Sequence, residues 1–526
     1  MPKGSRERAL LLALTFLALA LRLYGTGYAL QLPIARPDED RWVRVGLGLL
    51  EDPNPRWFQW PTLHAYMLAV LYAAWGLFRV WRGDFSSWHA YMNEPQDVYL
   101  ADQVLLGRYL SALLGALAVP LTYALGERLG PRGAGLVAAL FVAVSFGPVR
   151  DAHWALIEPL LLAGILITLI LTLRALEQPT LKRFLLAGLA AGLSTSAKYN
   201  AATLAAPIAA AVFLARRDEG RPLLPGLWDR RALGSALAMI FGFVAGSPYM
   251  LVSRREFLTA LEIREWSYRD DSFGTALGFV HHLIFSMRYS HGWAMELLGI
   301  AGLLVLGSRS AGRIAIVVFA LATYVAMGPA RIVPMRYASS IAPCLALGAA
   351  WLLFALFERT RRPWMWLGAA SLLLSLEPAY RDLRFGWLLN REDTRIAARR
   401  WMDLHAEPGA RVLTPDSKAE RWARPVLEDR YRVAGYTEAL ASARAGDWVL
   451  VAETRTGYAP HRPDIHALVK PLGRVGFAID PLAPGALPLY DPHDAFFVPV
   501  AGFLGVSAPG PKITIYELSQ ATSQVP

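Results

Sequence analysis

Three parts of this chain place charged side chains beside apolar sequence, and each points to a chemistry. The densest is Arg36-Pro37-Asp38-Glu39-Asp40-Arg41. A carboxylate at the edge of a bilayer can act as a general base or hold a divalent cation. Arg36 and Arg41 on either side would keep it ionised or clamp an anion. A solvated, charge-rich loop fits the same composition. The second part is Arg150-Asp151-Ala152-His153-Trp154-Ala155-Leu156-Ile157-Glu158-Pro159. Glu158 opens an apolar run, and an ionisable group within a membrane is costly enough to be a functional candidate; a structural pair with Arg150 is the plainer use. The third is divided between Lys198-Tyr199-Asn200 and the run from Arg331 to Arg336-Tyr337. Lys offers a point charge and Arg a bidentate fork for a phosphate carried by a lipid. Generic contact with anionic lipid is the simpler alternative. His64 follows Trp57-Phe58-Gln59-Trp60-Pro61-Thr62-Leu63, whose prolines and aromatics suit a membrane interface. Adjacent His281 and His282 cannot both face one metal on a regular helix, so they read as polar residues, as do the charges from Glu262 to Asp271.

Such residues need a membrane scaffold to hold them, and the composition predicts one. Of 526 residues, 55% are hydrophobic, and the mean hydropathy is +0.32, above the usual range of soluble globular chains. The 53 basic and 42 acidic residues leave a net charge of +11. In a soluble protein that excess would suggest nucleic acid, but here it collects in loops between apolar stretches. The single cysteine, Cys344, excludes an intramolecular disulfide and a Cys-rich metal site. Apolar stretches from Ala9–Ala29 to Trp364–Leu376 predict about eleven transmembrane helices. Arg6 and Arg8, Arg128 and Arg132, Arg174 to Arg183, Arg216 to Arg231, Arg309 and Arg313, and Arg359 to Arg362 fall at alternate connections, the cytoplasmic ones by the positive-inside tendency.

That parity makes Leu63–Val80 a juxtamembrane helix anchored by Tyr66, Tyr72, Trp75 and Trp81. It puts the acidic run, Glu158 and the C-terminal part on the outer side. Arg22, inside the first span, would snorkel or face a polar cavity. The expected organisation is therefore a polytopic α-helical membrane domain over residues 1–380 and a small soluble α/β domain over 381–526. The latter opens with an amphipathic helix from Asp393 to His405 and continues with strands at Arg411–Thr414, Trp448–Ala452 and Lys512–Tyr516.

Four segments, in order, resemble the GT-C integral-membrane glycosyltransferases, above all family 39, which contains the protein O-mannosyltransferases and the aminoarabinose transferases acting on lipid A. They are Pro37-Asp38-Glu39, Trp60-Pro61-Thr62-Leu63, Arg150 through Glu158-Pro159, and Gly188-Leu189-Ala190-Ala191-Gly192 through Lys198-Tyr199-Asn200. The tail, with Asp491-Pro492-His493-Asp494, is similar to the outer domain of bacterial members.

The resemblance implies the GT-C fold and an inverting transfer of a hexosyl or pentosyl group. The donor would be a polyprenyl-phosphate-linked sugar, and the acceptor a lipid, glycan or protein on the outer face of the cytoplasmic (inner) membrane. It implies Asp38 as the residue acting on the acceptor nucleophile, Glu39 as the second acid, and Glu158 where many relatives have Asp. Lys198 and Arg336 fall at places suited to the carrier phosphate, with Arg331 stabilising the departing charge. Arg41, His64, Arg150, Tyr199 and Tyr337 complete the expected substrate contacts. A divalent metal is left open with no ligand named, and no nucleic-acid partner is expected. A transporter or flippase of a lipid-linked sugar is the alternative, although no pair of related halves is visible in the sequence. A non-catalytic scaffold is the third reading.

Overall fold

The computed structural model describes residues 4–32, 35–93, 96–269, 277–416, 420–456, 462–494 and 496–521. Asp270 and Asp271 lie outside them. The chain divides into two compact units. The first comprises Met1–Leu23, Trp42–Pro95 and Gln103–Leu383. The second comprises Tyr24–Arg41, Gln96–Asp102 and Arg384–Pro526. The division differs from a cut at residue 380: helix Pro363–Leu389 runs through that point, and Tyr24–Arg41 groups with the C-terminal part.

The first unit is helical. Among the described residues, five helices are long and apolar enough to cross a membrane: Leu63–Trp81, Leu100–Leu129, Glu158–Glu177, Tyr199–Asp218 and Met335–Phe357. A further pair, Gly278–His291 and Trp293–Arg309, is apolar enough when taken together and is bent by 115° at Gly292, the geometry of a broken span or a re-entrant loop. Ala134–Ala143 and Ala311–Met327 are shorter apolar helices. Leu63–Val80, expected to lie along the interface, is part of one 19-residue helix that meets the length and hydropathy of a span. His64, Leu68 and Tyr72 are buried on it while Val70, Leu77 and Trp81 are exposed. Counting it as a span breaks the alternation of basic loops, so the expected eleven crossings and their sidedness do not follow from the helices alone.

Arg22 neither snorkels nor faces solvent. Its guanidinium is fully buried and donates to the carbonyls of Ala143 at 3.2 Å and Val142 at 3.4 Å. Those carbonyls end helix Ala134–Ala143, where a cation offsets the negative end of the helix dipole.

Helices Leu181–Ala197 and Arg230–Gly246 pack against each other through small residues. A Cβ at Gly192 would lie 2.0 Å from the Met239 carbonyl oxygen, and one at Gly242 would lie 2.5 Å from that of Leu189. Only hydrogen fits there, so the backbones approach as small-xxx-small pairs do in membranes. The glycines of the Gly188–Gly192 run thus have a packing reason, and the contact fixes where the helix ends, at Lys198.

The second unit carries a five-stranded sheet: β1 Arg411–Thr414, β2 Arg432–Gly435, β3 Trp448–Glu453, β4 Gly473–Ile479 and β5 Lys512–Leu518, in the order β2-β1-β3-β5-β4. β1 runs parallel to β2 and β3, while β5 is antiparallel to β3 and β4. β3 is buried along its whole length, and the edge strand β4 is not. The expected amphipathic helix is Thr394–His405, capped by Asp393, whose carboxylate accepts from the Arg395 amide at 2.8 Å.

Candidate active site

Two helix ends meet in the first unit. Glu158 opens helix Glu158–Glu177 with Pro159 next to it. A carboxylate suits the positive end of the helix, and proline is tolerated there because the missing N–H would have no partner. Lys198 closes helix Leu181–Ala197 in an extended conformation, with φ −154° and ψ 131°. A cation suits that negative end. Lys198 Nζ donates to Glu158 Oε1 at 2.9 Å, and both side chains are buried. A second cation, Arg336 Nε, lies 3.6 Å from the same oxygen, brought by the 3₁₀ turn Met335–Ile341. Aromatic faces enclose the ammonium: Lys198 Nζ sits 4.5 Å from the ring centre of Tyr337 and 5.2 Å from that of Trp60. Shielded from water, such contacts hold a cation more strongly than at a surface.

The segment before His64 is tied to this platform by hydrogen bonds. Tyr199 Oη donates to the Phe58 carbonyl at 2.9 Å, and the Thr62 amide donates to Ser247 Oγ at 3.0 Å. Ser247 Oγ in turn lies 2.5 Å from Ser196 Oγ, two residues before Lys198. His64 is fully buried, its ring edge-on to Trp42 at 5.1 Å. Trp60 therefore reaches Lys198 because the loop is stitched to the end of the Leu181–Ala197 and Arg230–Gly246 pair.

Arg150 lies at the end of helix Phe146–Asp151, its Nη1 3.8 Å from Asp151 Oδ1, and both are buried. Asp151 also accepts a 2.6 Å hydrogen bond from Ser339 Oγ, on the turn that carries Arg336 and Tyr337. Sequence reasoning passed over Asp151, Ser339 and Trp60 as site members. Asp151 had a signal, standing beside Arg150 in a run of charge, whereas the use of Ser339 is visible only in three dimensions. The sequence suggests Arg150 as the cation for Glu158, and the contact with Lys198, 40 residues away, is visible only in three dimensions.

The structure brings Glu158, Lys198, Arg336 and Tyr337 together, with Tyr199 adjacent in the chain. Arg331 is half-buried in the segment that leads to the same turn. Asp38, Glu39 and Arg41 belong to the second unit. Asp38 is exposed and has a left-handed backbone, φ 73°, just before helix Glu39–Gly48, while Glu39 is buried and Arg41 exposed. Arg36, the flanking arginine expected to serve Asp38, is fully buried and bonded to Asp494 at 2.5 Å. Among the described residues, no three His, Cys, Asp or Glu side chains cluster as metal ligands would.

Residues 63–216 match the family model described as dolichyl-phosphate-mannose-protein mannosyltransferase. That segment includes His64, Arg150, Glu158, Lys198 and Tyr199. In fold the chain is similar to ArnT from Cupriavidus metallidurans in its apo state, with 14% identity and a TM-score of 0.51 over 97% of this chain and 98% of that one. The same protein bound to undecaprenyl phosphate gives 14% identity and a TM-score of 0.50 over 96% and 97%. The Archaeoglobus fulgidus oligosaccharyltransferase, solved in complex with Zn and sulfate, is 13% identical with a TM-score of 0.43 over 83% of this chain. The chain spans 63% of that protein's length. Among curated proteins, none matches in sequence. The membrane helices and the C-terminal sheet together have the GT-C fold, and the family 39 resemblance stands on the matched segment.

Proposed function

We propose that this membrane protein of GT-C fold is an inverting glycosyltransferase that moves a sugar from a polyprenyl-phosphate carrier to an acceptor on the outer face of the cytoplasmic membrane. The observation that carries the reading is the set of buried Glu158 and Lys198 with half-buried Arg336, largely within the segment that matches the mannosyltransferase model. Two cations facing one carboxylate leave positive charge for an anion. In the reaction the bond from the anomeric carbon to the carrier phosphate oxygen breaks, and the acceptor oxygen bonds to that carbon from the opposite face. Lys198, Arg336 and Arg331 stabilise the charge that develops on the phosphate, and a desolvated setting makes each contact worth more than it is in water. Glu158 holds Lys198 and Arg336 oriented before the carrier arrives, which lowers the reorganisation needed in the transition state. Asp38 takes the acceptor proton, a role assigned from the sequence resemblance. ArnT with bound undecaprenyl phosphate supplies the model for the donor class.

The test incubates purified protein with labelled polyprenyl-phosphate sugars and membrane extract, and asks which product gains label. Asp38→Asn is expected to lower transfer by about 10²–10⁴-fold, the usual loss of a general base. Full transfer by that variant would move the base role to another carboxylate. Binding and flipping of the donor without any product would favour the transporter instead.

A further inference from the structure

The connection between helices Ala205–Asp218 and Arg230–Gly246 holds none of the residues assigned to the transfer reaction. Its base is an ionic knot of buried Arg216, Asp229 and Arg231 joined by the exposed Glu219. Arg216 Nη1 donates to Asp229 at 2.9 Å and its Nη2 to the Pro222 carbonyl at 2.7 Å. Arg231 Nε donates to Asp229 at 3.0 Å and its Nη1 to Glu219 at 2.6 Å. The hydrogen bonds from Arg231 and Arg216 keep Asp229 well below the ordinary carboxylate range, so the knot stays charged and rigid.

This rigid base carries an apolar tip. The turn Leu224–Trp228 leaves Leu224 94% and Trp228 78% exposed. It folds back along the helix: a Cβ on Gly226 would lie 2.5 Å from the Phe213 ring, more than one helical turn in from Asp218. The turn therefore lies against the side of the apolar helix Tyr199–Asp218 rather than beyond its end. Arg217, Arg221 and Arg230 are exposed on the same connection. Arg217 and Arg221 make only surface ion pairs, to Asp218 at 3.2 Å and Glu219 at 3.4 Å, which hold their guanidinium groups weakly. Beside the turn runs an apolar groove of about 470 Å³, lined by Leu227, Ala209, Ala232, Ala236, Met239 and Phe243 among others.

We propose that this face binds one anionic diacyl phospholipid, with its phosphate on Arg217, Arg221 and Arg230 and one acyl chain in the groove. Charge complementarity selects the headgroup, and the small alanines leave the width for a chain. The proposal does not depend on the transferase reading.

The test places the full chain in phosphatidylcholine nanodiscs carrying a trace of spin-labelled phosphatidylglycerol, phosphatidylcholine or undecaprenyl phosphate, and measures the motionally restricted fraction. Phosphatidylglycerol is expected to be restricted in preference to phosphatidylcholine. Arg217→Gln/Arg221→Gln/Arg230→Gln should lower that preference at least about fivefold, the effect of a single basic residue near a charged leaflet. Ala209→Phe, which fills the groove and leaves every charge in place, should remove the restricted phosphatidylglycerol component while the protein stays monodisperse. Equal restriction of the two phospholipids would overturn the proposal. So would displacement of phosphatidylglycerol by undecaprenyl phosphate in an Ala209→Phe-sensitive way, which would give the groove to the carrier chain.

Discussion

Each unit contains a buried carboxylate paired with a cation, and the two are built differently. In the C-terminal unit Asp393 caps a helix and receives Arg395 through Nε and Nη2, both at 2.9 Å, while Tyr28 also donates to it. Arg395 further donates to the Ala35 carbonyl at 3.2 Å. One planar cation matches one carboxylate, and the network ties Tyr24–Arg41 to the C-terminal chain. In the membrane unit Glu158 faces two cations from different elements, one of them a lysine enclosed by aromatic faces. A saturated bidentate pair builds architecture. A carboxylate approached by two cations from different elements instead joins those elements, and under the proposed reading it orients the two cations.

The sharpest break of this comparison removes the two cations in parallel. Lys198→Met is expected to lower transfer at least about 10²-fold, the scale of losing one transition-state donor. It also leaves Glu158 buried without its nearest partner, at a stability loss of about 3–5 kcal/mol. Adding Glu158→Gln should recover most of the melting temperature and none of the turnover; recovered turnover would make Lys198 architectural. Arg395→Met should destabilise the C-terminal unit by a similar few kcal/mol. Limited proteolysis would detect that loss, and transfer per folded molecule should be unchanged.

A milder change sharpens the membrane side. Ser339→Ala deletes the 2.6 Å bond to Asp151 and loosens the turn that carries Arg336. The expected loss is about 1 kcal/mol, seen as a several-fold rise in KM for the donor with kcat kept.

The smallest effect concerns pH. Burial holds His493 at about 4, below its ordinary 6.5. The unfolded chain takes up that proton below about 6.5 and the folded one does not. The stability from this site is therefore whole above that pH and is lost as the pH falls towards 4. The melting temperature of the C-terminal unit should decline over that window, and His493→Gln should flatten the decline.

Legibility in the sequence followed the range of the interaction involved. The strands Arg411–Thr414, Trp448–Ala452 and Lys512–Tyr516 were readable because burial imposes a local apolar pattern. β2 and β4 were not, since their residues are largely half-buried or exposed. Leu63–Trp81 was readable as an apolar helix, but its placement was decided by a parity count that depends on every other helix. The break at Gly292 follows the polar stretch Arg288-Tyr289-Ser290-His291, which marks where the next apolar run starts but not the 115° bend. Glu158 and Lys198 stood out singly as charges in apolar surroundings. Their mutual contact depends on how two helix ends are aimed, which glycines at positions 188, 192 and 242 set through backbone contact.

Composition and hydropathy alone therefore determined that the chain is a polytopic helical protein with a small α/β end, because the cost of burying backbone and charge acts residue by residue along any sequence. The tertiary structure decided which charges are partners: Arg36 with Asp494, Arg22 with the carbonyls ending a neighbouring helix, and Lys198 and Arg336 with Glu158. Those pairings join residues from 40 to 458 positions apart, and Coulomb attraction in a poorly screened interior depends on distance in space rather than along the chain.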